Sequence, residues 1–203
     1  MGASRYKLGA FRVRPATDRD RDAVKALVFA VLAEYGLRAD PAGTDADLDD
    51  LEATYAERGG SFEVVEDPNG RLVGTAGLFS AGRGHFELRA MYLAPSVRGR
   101  GLGKWLLARC VEAARQRQAK RIRLETASVL MEANALYRSF GFRPIAVARR
   151  AARCDQTYEL MIGSASPSAA PHRPPPRSRP RPRRTAAARS ERKPRPKRKP
   201  RPK

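Results

Sequence analysis

Six residues, Arg98-Gly-Arg-Gly-Leu-Gly103, separate a β-prone run ending at Leu93-Ala-Pro95 from an amphipathic helical pattern through Trp105, Leu106, Cys110, Val111 and Ala114. Three glycines in six positions permit tight turning and close backbone approach, and the free N–H groups of a helix start can hold phosphate oxygens. A strand, a glycine turn and a helix in this order predict an anion site, with a plain turn and cap as the alternative. The turn is not a nucleotide-hydrolase loop, because no Gly-Lys-Ser/Thr closes it. Nor is it a dinucleotide fingerprint, because Gly99, Gly101 and Gly103 do not keep the G-x-G-x-x-G spacing.

The 203 residues carry a formal net charge of +20, unevenly spread. Residues 163–203 hold 15 of the 41 Lys/Arg, one of the 21 Asp/Glu and 11 of the 16 prolines, with no aromatic residue. Such a segment cannot bury enough apolar surface to offset the entropy of ordering it, and it is expected to be a disordered basic tail. Residues 11–162 suit one domain with a real core, and residues 1–10 are expected to be a flexible N-terminus. No run approaches the roughly 20 apolar residues of a membrane span or makes a secretory signal, so the expectation is a cytoplasmic protein. With only Cys110, Cys154, His85 and His172, neither a metal site nor a structural disulfide is assigned.

Apolar periodicity predicts a strand over Phe11–Arg14 and a helix from Asp18 through Ala23, Leu27, Val31 and Leu32 to Tyr35, stopped by Gly36. Leu48, Leu51 and Tyr55 predict a second helix, capped at Thr44 or Asp45 and closed by Gly59-Gly60. Ser61–Glu66 and Arg71–Phe79 read as a hairpin turning at Asn69-Gly70. Strands follow at Phe86–Leu93 and Arg121–Thr126, a short helix at Met131–Phe140, and strands at Phe142–Val147 and Thr157–Ile162. Interspersed helices and strands make this an α/β domain, α+β in some schemes.

The order of these motifs resembles the Gcn5-related N-acetyltransferase (GNAT) superfamily, in a bacterial branch. Arg98, Gly101 and Gly103 fill its Arg/Gln-x-x-Gly-x-Gly/Ala pattern. Glu87-Leu-Arg-Ala-Met-Tyr-Leu93, Ile122-Arg-Leu-Glu-Thr126 and Ala133-x-x-x-Tyr137-x-x-x-Gly141-Phe142 follow the family's sequence of elements. The resemblance covers Phe11–Ile162. It implies a mixed, mostly antiparallel sheet flanked by helices, whose two parallel central strands splay to admit acetyl-CoA as co-substrate. Backbone N–H groups of Arg98, Gly99, Arg100, Gly101, Leu102 and Gly103 would then bind pyrophosphate, with Arg98 and Arg100 adding positive potential. Backbone around Met91 and Leu93 would pair with pantetheine. Many family members carry an asparagine seven residues before the tyrosine. Here Leu130 stands there, and either Asn134, three residues before the tyrosine, substitutes as the cofactor contact or the contact is absent.

The implied reaction is acetyl transfer to a neutral primary amine by direct attack. A backbone N–H near Met91 would stabilise the oxyanion, and Tyr137 would serve the departing thiolate; an apolar-face aromatic is the competing reading of Tyr137. An alkyl ammonium, with a pKa of about 10, must first lose a proton. Glu87 is the candidate base, against a merely solvent-facing strand carboxylate; Glu125 is the fallback, and His85 reads as surface. Between residues 36 and 57 seven acids face only Arg38, which favours a cationic amine or else serves helix N-termini. The acceptor is a small-molecule or peptide amine, and a homodimer is compatible with the pattern. The rival function is nonspecific binding of nucleic acid or an anionic surface by the tail, with a catalytically idle or coenzyme-A-sensing core. The tail lacks aromatic platforms for stacking on bases.

Overall fold

The computed structural model describes residues 6–147 and 151–163. Apart from Gly163, the proposed basic tail lies outside the described residues, as does the start of the N-terminal segment. Eight strands form one sheet: β1 (Tyr6–Leu8), β2 (Phe11–Pro15), β3 (Ser61–Glu66), β4 (Leu72–Gly82), β5 (His85–Leu93), β6 (Arg121–Thr126), β7 (Arg143–Pro144) and β8 (Gln156–Met161). Their order is β1-β2-β3-β4-β5-β6-β8-β7, and every neighbouring pair is antiparallel except β5 and β6. Three helices complete the domain: α1 (Arg21–Glu34), α2 (Leu102–Gln116) and α3 (Met131–Ser139).

Side-chain alternation along the strands gives the sheet a core on each face. Phe62 and Val64 pack with Val24, Val28 and Leu32 of α1 and with Leu48, Leu51 and Tyr55. On the other face Val65, Phe86, Leu88, Ile122, Leu124 and Tyr158 pack with Leu102, Leu106, Leu107, Cys110, Val111 and Ala114 of α2. The α1 residues recur at i, i+4 and i+8, the period of a helix with one buried stripe. Tyr137 and Phe142 join the α2 core, which brings α3 to that side.

The expected hairpin is present: β3 and β4 pair antiparallel, Gly70 has φ +80°, and Asp67 Oδ1 accepts the N–H groups of Asn69 and Arg71. Three segments differ from expectation. Tyr6–Leu8, assigned to a flexible N-terminus, pairs with β2 as an edge strand. The second helix is instead a 3-10 turn at Ala46–Leu48 and a π-type turn at Glu52–Ala56. Its apolar residues are buried as expected, but carboxylates compete for the backbone. Asp18 Oδ1 accepts the N–H groups of Leu51 and Glu52, and Asp50 Oδ1 accepts that of Ala53, interrupting the helical ladder. The strand expected over Phe142–Val147 shrinks to Arg143–Pro144, followed by one further bond from the Ile145 N–H to the Thr157 carbonyl at 2.9 Å.

Candidate active site

The two central strands stay together for only three register pairs, His85 with Arg121, Phe86 with Ile122 and Glu87 with Arg123. Beyond these each keeps only its outer partner, β4 for β5 and β8 for β6, and a cavity of about 900 Å³ opens between them. A bulge aids the parting. Arg89 faces Gly77 and Tyr92 faces Thr75, so Ala90 and Met91 oppose the single residue Ala76. Ala90 takes φ +45°, a left-handed conformation uncommon for a residue with a Cβ. Its carbonyl accepts the buried Thr75 hydroxyl at 2.7 Å, which holds the bulge.

One end of the cavity is formed by Leu93, Gly99, Gly101, Gly103 and Lys104, faced by Leu130, Ala133, Leu136 and Tyr137. Gly99 and Gly101 have φ +72° and +79°, and Gly101 caps α2, whose first N–H groups have no carbonyl within the helix. A Cβ on Gly103 would lie 3.6 Å from both Leu93 and Leu136 and narrow the slot between them. Tyr137 is only 7% exposed, and burial, seconded by neighbouring Tyr92, pushes its phenol above the usual tyrosine range. It is therefore a neutral hydroxyl at the cavity wall.

The other end is built from charged side chains. Glu87 lines it and accepts from Nε and Nη2 of Arg89 at 2.9 and 2.5 Å, while the Arg89 guanidinium lies 4.0 Å from the Phe79 ring centre. Asp47 accepts the Tyr55 hydroxyl at 2.6 Å. Burial raises the Asp47 carboxyl, opposed by that hydrogen bond and by Arg89. Asp45, 3% exposed, takes two N–H groups of Arg153 at 2.7 and 2.5 Å. Tyr92 and Cys154 complete this end, with burial pushing the phenol up to about 12 and the thiol up to about 11.

Met91, Leu93, Gly99, Gly101, Gly103, Glu87, Glu125 and Tyr137 thus meet around one cavity, as the sequence places them. Other assigned side chains are used elsewhere. Arg98 reaches the cavity edge, but Nη1 and Nη2 grip Glu34 at 2.6 and 2.8 Å, and Nε donates to the Leu93 carbonyl at 3.0 Å. It ties α1 to the end of β5 rather than presenting a free cation to phosphate. Arg100 is exposed and outside the cavity lining, and the Leu102 side chain is buried in the α2 core, which leaves these two only backbone groups to offer. Asn134 also stands outside the lining. Its amide N–H groups hold the carbonyls of Ala127 and Leu130, both at 2.9 Å, so it fixes the loop before α3. Glu125 accepts the Ala151 N–H, and His85 lies beside Arg121 at 3.3 Å, away from the cavity.

Sequence reading missed Arg89, Arg123, Arg153 and Glu34 as site and positioning residues, and marked Asp47 only as one of the seven acids. No local pattern marks them. The acids between residues 36 and 57 could have been suspected of internal pairing, given the arginines in strand-like segments. In the structure Asp45, Asp47 and Asp49 meet Arg153, Tyr55 and Lys25, while Asp40, Asp50 and Glu52 accept backbone N–H groups. Asp45, Asp47 and Asp49 are thereby set against cations, while Asp40, Asp50, Glu52 and Glu57 stay exposed.

Residues 28–142 match the model of the acetyltransferase (GNAT) family. The chain belongs to the GNAT acetyltransferase family. It is similar to the uncharacterised N-acetyltransferase YjgM of Escherichia coli K12, 41% identical over 138 residues that span 66% of this chain and 82% of that one. A GNAT-family acetyltransferase from Staphylococcus aureus Mu50 shares the fold with a TM-score of 0.71 at 20% identity, over 75% of this chain and 99% of the other. So does yncA of Salmonella typhimurium, solved with its cofactor acetyl-CoA, with a TM-score of 0.60 at 22% identity over 80% and 98% of the two chains. The protein is thus an acetyltransferase of the acetyl-CoA-dependent GNAT type, and the parted strands, glycine-capped α2 and open Gly103 slot suit that co-substrate. Among the described residues no helix is long and apolar enough to cross a membrane.

Proposed function

We propose that this GNAT protein transfers the acetyl group of acetyl-CoA directly to a neutral primary amine. The observation that carries the reading is the single cavity where the parted strands, the glycine-capped start of α2 and Tyr137 meet. The N–H groups from Gly99 to Lys104 take the pyrophosphate, because the helix start concentrates unpaired donors and partial positive charge there. The extended backbone at Met91 and Leu93 offers pairing groups to the pantetheine arm. A Met91 N–H freed by the bulge is the oxyanion donor.

Glu87 takes the amine proton, directly or through water, with Arg89 fixing the carboxylate. The nitrogen lone pair then forms the C–N bond, the nitrogen gives up its surplus proton to water, and the thioester C–S bond breaks with its electron pair on sulfur. Tyr137 donates its proton to that sulfur. Its raised pKa keeps the proton in place at neutral pH, which a general acid requires. Titration calorimetry of the full chain with acetyl-CoA, followed by an amine screen reading thiol release and acetylated product, tests the reading. Saturable binding and an N-acetyl product are expected. Absence of acetyl-CoA binding by the folded chain sinks it.

A further inference from the structure

Glu87 and Arg123 face each other in the last register pair before β5 and β6 part. Both line the cavity. Their neighbours Phe86, Leu88, Ile122 and Leu124 pack with α2, so alternation sets Glu87 and Arg123 on the opposite face of the sheet. Neighbouring strands lie about 4.8 Å apart, which puts a carboxylate and a guanidinium side by side at the root of the opening.

The two charges are provided for differently. Glu87 accepts two N–H groups from Arg89. Arg123 gives Nη2 to Glu159 at 3.3 Å, and the same carboxylate oxygen also receives Arg121 Nη1 at 3.2 Å. Two guanidiniums therefore share one carboxylate. Arg123 Nε is buried with no hydrogen-bond partner among the described residues. The other arginines at this end are committed, Arg153 to Asp45 and Arg89 to Glu87. Of the acids, Asp45 is paired with Arg153 and Asp47 shares Arg89 with Glu87, while Glu125 accepts the neutral Ala151 N–H. Around Arg123 itself two guanidiniums meet one carboxylate, which leaves one locally unmatched positive charge on the strand beside the base. A guanidinium with unmatched charge selects a carboxylate by paired N–H···O bonds, whereas a polycation would add like charge against it.

We propose that the acceptor is an amino acid or a similar primary amine bearing a carboxylate within a few bonds of its nitrogen. The carboxylate lies on Arg123, and the nitrogen faces Glu87. This assignment rests on the N-acetyl transfer proposed above. Each amino acid, its carboxamide and its decarboxylated amine are compared as acceptors with the full chain and acetyl-CoA, by thiol release and product mass. For the preferred amino acid, kcat/KM is expected to exceed that of the carboxamide and the bare amine by about tenfold or more. Arg123→Gln raises the KM of the acid by about the same factor more than that of the carboxamide and so closes the gap, and Arg123→Lys restores part of it. A preferred acceptor without a carboxylate, such as a polyamine or a peptide lysine, overturns the assignment. So does an acid-to-amide gap that survives Arg123→Gln, or acetyl-CoA binding without turnover of any amino acid. Because the acid-to-amide gap is measured on the unaltered chain, it decides even where a variant folds poorly. Failure to bind acetyl-CoA, read separately by calorimetry, overturns the transfer reading beneath it.

Discussion

The two ends of the cavity are built from different materials. At the α2 end the wall is main chain and apolar side chain, with its polarity supplied by a helix start and two glycines of positive φ. At the other end the wall is an interlocked set of charged side chains, with Arg89 on Glu87, Arg153 on Asp45 and Tyr55 on Asp47. A backbone site depends on local conformation and tolerates side-chain change. A charged-pair site depends on every partner, because breaking a buried pair leaves an uncompensated charge. The contrast suits one constant co-substrate at the first end and a varied acceptor at the second.

Tyr137→Phe, at the α2 end, should have the largest effect. Loss of a general acid typically costs 10²- to 10⁴-fold, so a kcat loss of roughly a thousandfold is expected, with acetyl-CoA affinity nearly unchanged by calorimetry. The neutral phenol should also persist in alkali: its raised pKa puts ionisation above the ordinary value of about 10, so no fall in rate from this group is expected below that pH. A loss of acetyl-CoA binding in Tyr137→Phe would place the hydroxyl in binding rather than in proton transfer.

Next comes Asp45→Asn, which strips Arg153 of its bidentate partner where both side chains are largely buried. About 3 kcal/mol of stability should be lost, read as a fall in denaturation midpoint, and the acceptor KM should rise while acetyl-CoA affinity holds. If acetyl-CoA affinity fell equally, the two ends would not be separable. Gly101→Ala works in the opposite direction. Forcing a Cβ into φ +79° costs about 1–2 kcal/mol locally, so the KM for acetyl-CoA should rise about tenfold with the acceptor KM unchanged.

The smallest effect expected is on acid stability. Arg14 hydrogen-bonds Asp20 and holds its carboxyl below the usual range, anchoring the start of α1 to β2. That stabilisation is complete above the unfolded carboxylate pKa of about 4 and is lost as pH falls through the lower folded value. Asp20→Asn should therefore melt earlier than the unaltered chain at pH 6, and the difference should narrow toward pH 2.

The α2 end was legible in the sequence because its requirements are local. Glycine at positive φ, a helix beginning at Leu102 and a tyrosine on the buried stripe of α3 are each set within a few residues. The same holds for β3, β4, β5, β6 and α1, where periodicity and turn residues agree with the structure. Local reading failed between Asp40 and Glu57, where helical spacing was right about burial and wrong about the helix. It failed there because Asp18, 33 residues away, supplies the acceptor for Leu51.

The charged end could not be read in this way. Asp47 and Arg89 are 42 residues apart, and Asp45 and Arg153 are 108 apart. Arg98, Arg123 and Asn134 carry no mark in the sequence of which partner they will take. By itself the sequence determined the family's elements, the glycine turn and the apolar stripes, since backbone conformation and hydrophobic period are properties of neighbouring residues. Only the tertiary structure decided which charges pair and which partners are shared. That depends on which strands become neighbours and where they part.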